Sequence, residues 1–307
     1  RSHPLLVSFL GVPYIDVRVS FNSFIPAKLD EKTAEKLVNY YISKLDDNKT
    51  HHDKVEFEIV FSCYYFGIEK KVDTLARFNF NREEINSIKY SLLEITKGII
   101  HPEKGLYKKD LNNVKKLHDK FHDITSSSLS LVDKIYWLIK DVKKYGTLPF
   151  AGIARAGFIA IQFLKSFVSE GIITNKEFNL FLKSLNTVSK TLIKDKEILS
   201  KQDFLGKYGH LRPGSYDILS KNYEQDYDNY FSDKIETHID ETFNFTEYQI
   251  SNINAKLLTY ELGVDFDQLI IFIKEAIEGR ESVKFEFTKS LNQILIYITE
   301  FGQQLQY

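Results

Sequence analysis

The stretch "KYGHLRPGSYDIL" (207–219) holds the densest set of residues able to do chemistry in this chain. His210 can move a proton, and the planar fork of Arg212 can bind two oxygens of a phosphate or carboxylate. Gly209, Gly214 and Pro213 suit a tight irregular loop that brings polar groups, Asp217 among them, close to a ligand. A plain turn between two helices is the competing interpretation. Two further places offer polar groups for an anion. In "YGTLPFAGIARAGF" (145–158), Thr147 is placed to cap a helix with Pro149 in its first turn. Such a start leaves backbone amides free for an anion, with Arg155 on the following turns. A well-capped helix without a ligand is the alternative. In "YIDVRVSFNSF" (14–24), Arg18 and Asn22 stand four apart on the polar side of an alternating pattern, so both point the same way. A solvent-facing strand would look the same.

Other chemical signals fail. "GIARAG" (152–157) lacks the Lys-Ser/Thr of a phosphate-cradling loop and fits close helix packing better. His118 and His122 lie one turn apart on a polar helix without the glutamate of a zinc-protease motif, which suggests a solvated face. His51, His52 and Asp53 fall in a turn without further ligands nearby. Cys63 lies in an apolar run and suits the core. No GxSxG occurs, so no nucleophile elbow is expected.

These residues need elements to hold them. Ile15, Val17, Val19 and Phe21 alternate over 14–24, and "KVEFEIVFSCYYF" (54–66) alternates again, so a strand is expected in each. Between them "DEKTAEKLVNYYISKLDD" (30–47) has helical period. From "NREEINSIKYSLLEITKGII" (81–100) onward nearly everything has helical period. Asn81 with Glu84 forms a capping-box start, repeated at "TNKE" (174–177). Helices are expected over 130–146, over 150–168, which is apolar nearly all round and hence central, and from Asp265 to about Gln304 with an interruption near Gly279. The expected fold is mainly α, an α+β arrangement with a small β element near the N-terminus. A small α/β part covers 1–100 and a helical part 101–307, together one central domain of a longer chain.

Composition narrows the function classes. With 41 basic and 42 acidic residues the net charge is −1, which gives no overall field to attract nucleic acid or an anionic membrane. A single cysteine fits a reducing, cytoplasmic setting. No uninterrupted apolar run reaches the roughly 18–20 residues of a membrane span. No internal repeat or low-complexity linker is evident. The start at Arg1 and the absence of methionine suggest a piece of something longer.

"FLGKYGHLRPGSYDIL" (204–219) resembles the "FLxxYGHRxxGExD" signature found between the nucleotide-binding and phosphohistidine domains of phosphoenolpyruvate synthase-like phosphotransferases. That family includes relatives of pyruvate phosphate dikinase and the rifampicin phosphotransferases. It departs from the common signature at Leu211, where many members have Arg, and at Ser215, where they have Glu. "HPLLVSFLGVPYIDVRVSFNSFIP", "DKVEFEIVFSCYYF", "YGTLPFAGIARAGFIA" and "ESVKFEFTKSLNQILIYITEFG" are similar, in the same order, to a subgroup described as PEP synthase-like or PEP/pyruvate-binding proteins. The resemblance runs from about residue 3 to residue 302. It implies that ATP and magnesium bind an ATP-grasp domain outside this chain, and that a separate domain carries the phosphorylated histidine. No two glycines adjoin here, so the paired-glycine "GGxxSH"-type histidine motif is missing from these 307 residues. The chain then corresponds to the intervening region that receives a small-molecule acceptor and docks the other two domains. His210 and Arg212 would act at the point of transfer, while Arg18, Asn22, Thr147, Arg155 and Asp217 would bind the acceptor. A non-catalytic helical spacer and an independent helical ligand-binding protein are the alternatives.

Overall fold

The computed structural model describes residues 3–232 and 242–306. In chain order the elements are β1 (Leu6–Phe9), β2 (Val12–Ile15), α1 (Val17–Asn22), α2 (Glu31–Asp47), α3 (Ile68–Asp73), α4 (Arg82–Ile100), α5 (Leu106–Ser126), α6 (Leu131–Asp141), α7 (Leu148–Ser169), α8 (Asn175–Ser184), α9 (Val188–Ile198), α10 (Lys201–Tyr208), α11 (Tyr227–Tyr230), α12 (Glu247–Thr259) and α13 (Phe266–Gln304). The fold is mainly α with one two-stranded antiparallel sheet at the start. Backbone contacts divide the chain into two units. One comprises Arg1–His101, Ile161–Thr174 and Thr246–Phe266; the other comprises Pro102–Ala160, Asn175–Phe245 and Asp267–Tyr307.

In the first unit, β1 and β2 pair from Leu6↔Ile15 to Phe9↔Val12. Leu10 and Gly11 make the connection with φ of 51° and 81°. A two-residue hairpin loop with both residues left-handed matches the twist of its strands, and Gly11 adopts that conformation without steric cost. The strand expected over 14–24 therefore ends at Ile15. Asp16 stops it by capping α1, its carboxylate accepting from the Val19 amide at 3.0 Å. A capped turn that buries Phe21 wins over the β propensity of two valines.

The second expected strand, over 54–66, is also corrected. Val55–Ile59 forms one π-helical turn, and every residue from Ile59 to Phe66 is buried. Alternation implies a wet face, and this segment has none. Its backbone finds side-chain partners instead of a neighbouring strand: the Phe61 amide donates to the Tyr41 hydroxyl at 3.1 Å, and the Tyr64 amide to Thr96 Oγ1 at 2.7 Å. Pairing buried amides this way removes the need for a sheet. Cys63 is fully buried here, as its apolar surroundings suggest. Tyr41 packs edge-on against Phe21 and Phe61, and Phe66 meets Phe163, Phe167 and Tyr260 at 5.6–5.9 Å. Nearby, α4 begins with the expected capping box, Glu84 N to Asn81 Oδ1 at 2.9 Å and Asn81 N to Glu84 Oε2 at 2.8 Å.

In the second unit, α6 runs through a π-helical stretch, Val142–Thr147, directly into α7. The wide turn lets Pro149 sit inside a helix although its ring excludes the usual bond to the fourth residue back. Thr147 is thus not a cap: its hydroxyl donates to the Lys143 carbonyl at 3.5 Å, and helical backbone lies on both sides. The free amides expected there do not exist as a helix start. Leu131–Ser169 is long and apolar enough to cross a membrane by length and composition, which no uninterrupted apolar run suggested. Ile153, Ala156, Ile159, Phe163, Leu164 and Phe167 are nevertheless fully buried in protein, the behaviour of a core helix.

The last helix, α13, is unbroken for 39 residues, about 58 Å at 1.5 Å per residue. The expected interruption at Gly279 is a packing site. A Cβ there would stand 3.1 Å from Leu111 and 3.6 Å from Ile153. Gly157 of the "GIARAG" stretch similarly faces the Ala276 carbonyl, as close helix packing requires. His118 and His122 are exposed on α5.

Candidate functional site

The motif occupies the loop that follows α10. Ser200 caps α10, accepting from the Asp203 amide at 3.1 Å, and the helix closes with the Gly209 amide on the Leu205 carbonyl at 2.7 Å. Tyr208, at its end, is buried and donates its hydroxyl to Asp195 at 2.7 Å; Lys207 reaches the same carboxylate oxygen at 2.6 Å. These two bonds, Lys207 foremost, hold the Asp195 carboxyl below the usual range. Tyr216, on the far side of the loop, is 75% exposed and does not anchor it.

Arg212 is the centre of the loop. It is buried, and its guanidinium donates to the Ser220 carbonyl at 2.8 Å, the Asp217 carbonyl at 3.3 Å and Asn292 Oδ1 of α13 at 2.5 Å. Asn222 donates to the same Asn292 oxygen at 3.1 Å and is otherwise tied to Gln225 by two bonds. The chain then returns alongside itself, Tyr223 N to Leu211 O at 2.8 Å and Glu224 N to Gly209 O at 3.1 Å. Asp217 turns its carboxylate back onto the Leu219 amide at 2.9 Å and is exposed. The loop's polar groups are thus largely used on one another. Burial pushes the Arg212 pKa down, although Tyr230 and Asp217 oppose it.

His210 packs edge-on against Phe285, with centroids 4.8 Å apart, and its Nε2 lies 3.3 Å from the Phe285 carbonyl. A carbonyl only accepts, so that nitrogen carries the hydrogen and Nδ1 keeps its lone pair. Burial, and then the charge of Lys289, lower the pKa of His210 to about 4. At neutral pH it is an uncharged imidazole, an acceptor of hydrogen bonds and not a cation for a phosphoryl group.

His210 lines a groove of about 800 Å³ with Lys201, Gln202, Glu224, Lys289 and Asn292. Asn292 belongs to both structures: it takes the Arg212 hydrogen bond and forms part of the groove wall. Lys289 is paired with Glu286 at 2.9 Å and Lys201 with Asp228 at 2.9 Å, so both ammonium groups are positioned by carboxylates. Asn292 and Lys289 escaped the sequence analysis because they stand in the apolar-periodic "TKSLNQILIY". The signal available was a polar residue on a buried helical position, matched by the buried Asn222.

The remaining sequence candidates fall elsewhere. Arg155 is half-buried on α7, and neither it nor Arg212 is among the residues lining the groove. Arg18 and Asn22 belong to the other unit, on α1 and not on a strand. A spacing of four keeps them on one face in a helix as well. Both are exposed, and Arg18 donates to Asn39 Oδ1 at 2.9 Å. Among the described residues no group of three or more His, Cys, Asp or Glu is arranged to hold a metal ion. No family model matches this chain, and neither a curated protein nor a solved structure does.

Proposed function

We propose that this chain is the acceptor-facing docking region of a phosphoenolpyruvate synthase-like phosphotransferase, with the 207–219 loop acting as a clamp that positions the groove beside it. The ordered set of motifs that resembles that family supports the class. The observation that carries the role of the loop is the double engagement of Asn292, which ties the buried Arg212 to the groove wall shared with His210 and Lys289. Phosphoryl transfer depends mainly on positioning and on cations near the equatorial oxygens. In this arrangement Lys201 and Lys289 supply the positive charge. The neutral His210 offers Nδ1 to a hydroxyl of the acceptor, and Arg212 acts through Asn292. ATP and magnesium belong to the separate ATP-grasp domain, and the transferred group arrives on a histidine of another domain.

The test is the full-length enzyme, with labelled ATP and a panel of candidate acceptors. Formation of phosphohistidine and its acceptor-dependent discharge are followed separately. In Lys289→Ala the first half-reaction is expected to persist and the second to fall on the order of 10²-fold, the usual value of one positioned cation. A second reading, the non-catalytic spacer, is favoured by the three hydrogen bonds that tie the Arg212 guanidinium to its own loop and to Asn292 of α13. It predicts unchanged discharge in Lys289→Ala. The 307-residue chain alone is expected neither to hydrolyse ATP nor to become phosphorylated on histidine. A stable phosphohistidine formed by it would overturn the assignment.

A further inference from the structure

In the first unit, a cavity of about 390 Å³ opens between α3 and the last turns of α7. Three lysines, Lys70, Lys71 and Lys165, stand at its rim, and none forms an ion pair among the described residues. Lys165 lies over the Phe57 ring at 4.3 Å and Lys71 over Tyr65 at 5.7 Å, so two of the three are directed by aromatic faces. A smaller cavity of about 250 Å³ shares Phe57, Glu58, Tyr65 and Lys71 with it and adds Lys44. Lys44 donates to the Ile59 carbonyl at 3.2 Å, and burial followed by the charge of Lys71 lowers its pKa. Two carboxylates line the larger cavity. Glu170 is neutralised by Lys256 at 2.5 Å, which leaves Glu58 against the rim lysines and Lys44. Positive charge is in excess there, in a chain whose net charge is −1.

A solvated cluster of lysines would explain this much. The second observation is Gln162, on α7. It is 6% exposed, it lines the same cavity, and its carboxamide hydrogen-bonds to no described residue. Its amide atoms keep a little contact with the open cavity, so their hydrogen-bonding capacity is met by no protein group and is available to a ligand. Its neighbour Ser166 shows the usual behaviour, with its hydroxyl on the Phe163 carbonyl at 2.7 Å. An amide at the floor and ammonium groups at the rim match a molecule with a neutral polar body and an anionic end. The volume suits an occupant larger than a bare ion.

We propose that this cavity binds a small phosphorylated molecule, its phosphate between Lys70, Lys71 and Lys165 and its polar body against the carboxamide of Gln162. This site is separate from the groove assigned above and does not depend on that assignment. Calorimetric titration of the 307-residue chain with inorganic pyrophosphate and with AMP tests it, with vesicles containing a phosphoinositide as the lipid arm. Binding of at least one soluble phosphate with Kd below about 1 mM is expected. The double variant Lys70→Ala/Lys165→Ala changes only exposed side chains and should weaken that binding at least 10-fold. Gln162→Leu should weaken AMP more than pyrophosphate, because only AMP has a body to meet the amide. No heat from either soluble phosphate at several millimolar would overturn the proposal. So would equal affinity in wild type and the double variant, or binding to vesicles alone.

Discussion

The loop after α10 and the cavity beside α3 use polar residues in opposite ways. In the loop, a buried cation, two asparagines and the backbone carbonyls around them bond to one another, and Arg212 takes three acceptors at once. In the cavity, a buried carboxamide has no partner among the described residues and three lysines lack carboxylates. The loop has the more conspicuous sequence, yet most of its bonding capacity holds its own shape, with Arg212 Nε and His210 Nδ1 left over. The cavity has spare capacity, and its key amide sits inside a helix that looks like pure core. Chemically able residues mark a site only where their bonds remain available.

That difference sets the order of expected effects. Arg212→Ala strips donors from two loop carbonyls and from the buried Asn292, a loss of about 3 kcal/mol, so thermal unfolding should occur several degrees lower. Arg212→Lys should recover less than half of it, because one ammonium cannot span the three acceptors. If Ala and wild type melt together, the clamp does not exist.

The His210 environment gives a pH effect next in size. Its pKa is about 4 in the folded chain against an ordinary 6.5, so between those values the unfolded chain binds more protons. Stability from this residue is fully present above about pH 6.5 and is lost as the pH falls towards 4. The change is up to about 3 kcal/mol by linkage, less the solvent relaxation of a partly exposed ring. His210→Gln should flatten denaturant midpoints over that window, and an unchanged slope would remove the burial argument.

Asn292→Leu follows, at about 2 kcal/mol, because it leaves one N–H of Arg212 and one of Asn222 without an acceptor. Urea unfolding of the variant checks this. The smallest effect has the opposite sign. Gln162→Leu replaces a nearly buried amide that meets only residual solvent with an apolar side chain and should raise stability by less than about 1 kcal/mol.

Much of the helical framework was legible because its signals are local. The capping box at Asn81 and Glu84, the period over 30–47 and the all-apolar 150–168 each depend on residues within a few turns. Alternation over 14–24 and 54–66 predicts two-sided strands, and neither stretch has, along its length, the partner strand and wet face that this requires. Asp16 turned the first into a helix cap, and side chains from α2 and α4 replaced strand partners in the second. Gly279 looked like a break because its reason, the approach of Leu111, lies 168 residues away in sequence. Within the candidate site, Arg212 and His210 stood out by type. Their roles depended on Asn292 and Phe285, which no local pattern links to them.

The contrast between spent and spare bonding is tested most directly by the melting temperatures of Asn292→Leu and Gln162→Leu, each measured with and without 5 mM AMP, where the concentration is set at about five times the expected upper limit of Kd. Asn292→Leu is predicted to melt several degrees below wild type and to keep its full AMP-induced shift. Gln162→Leu is predicted to melt slightly above wild type and to lose most of that shift. A lower melting temperature for Gln162→Leu, with its AMP shift intact, would show that its amide is a structural group and would contradict the account.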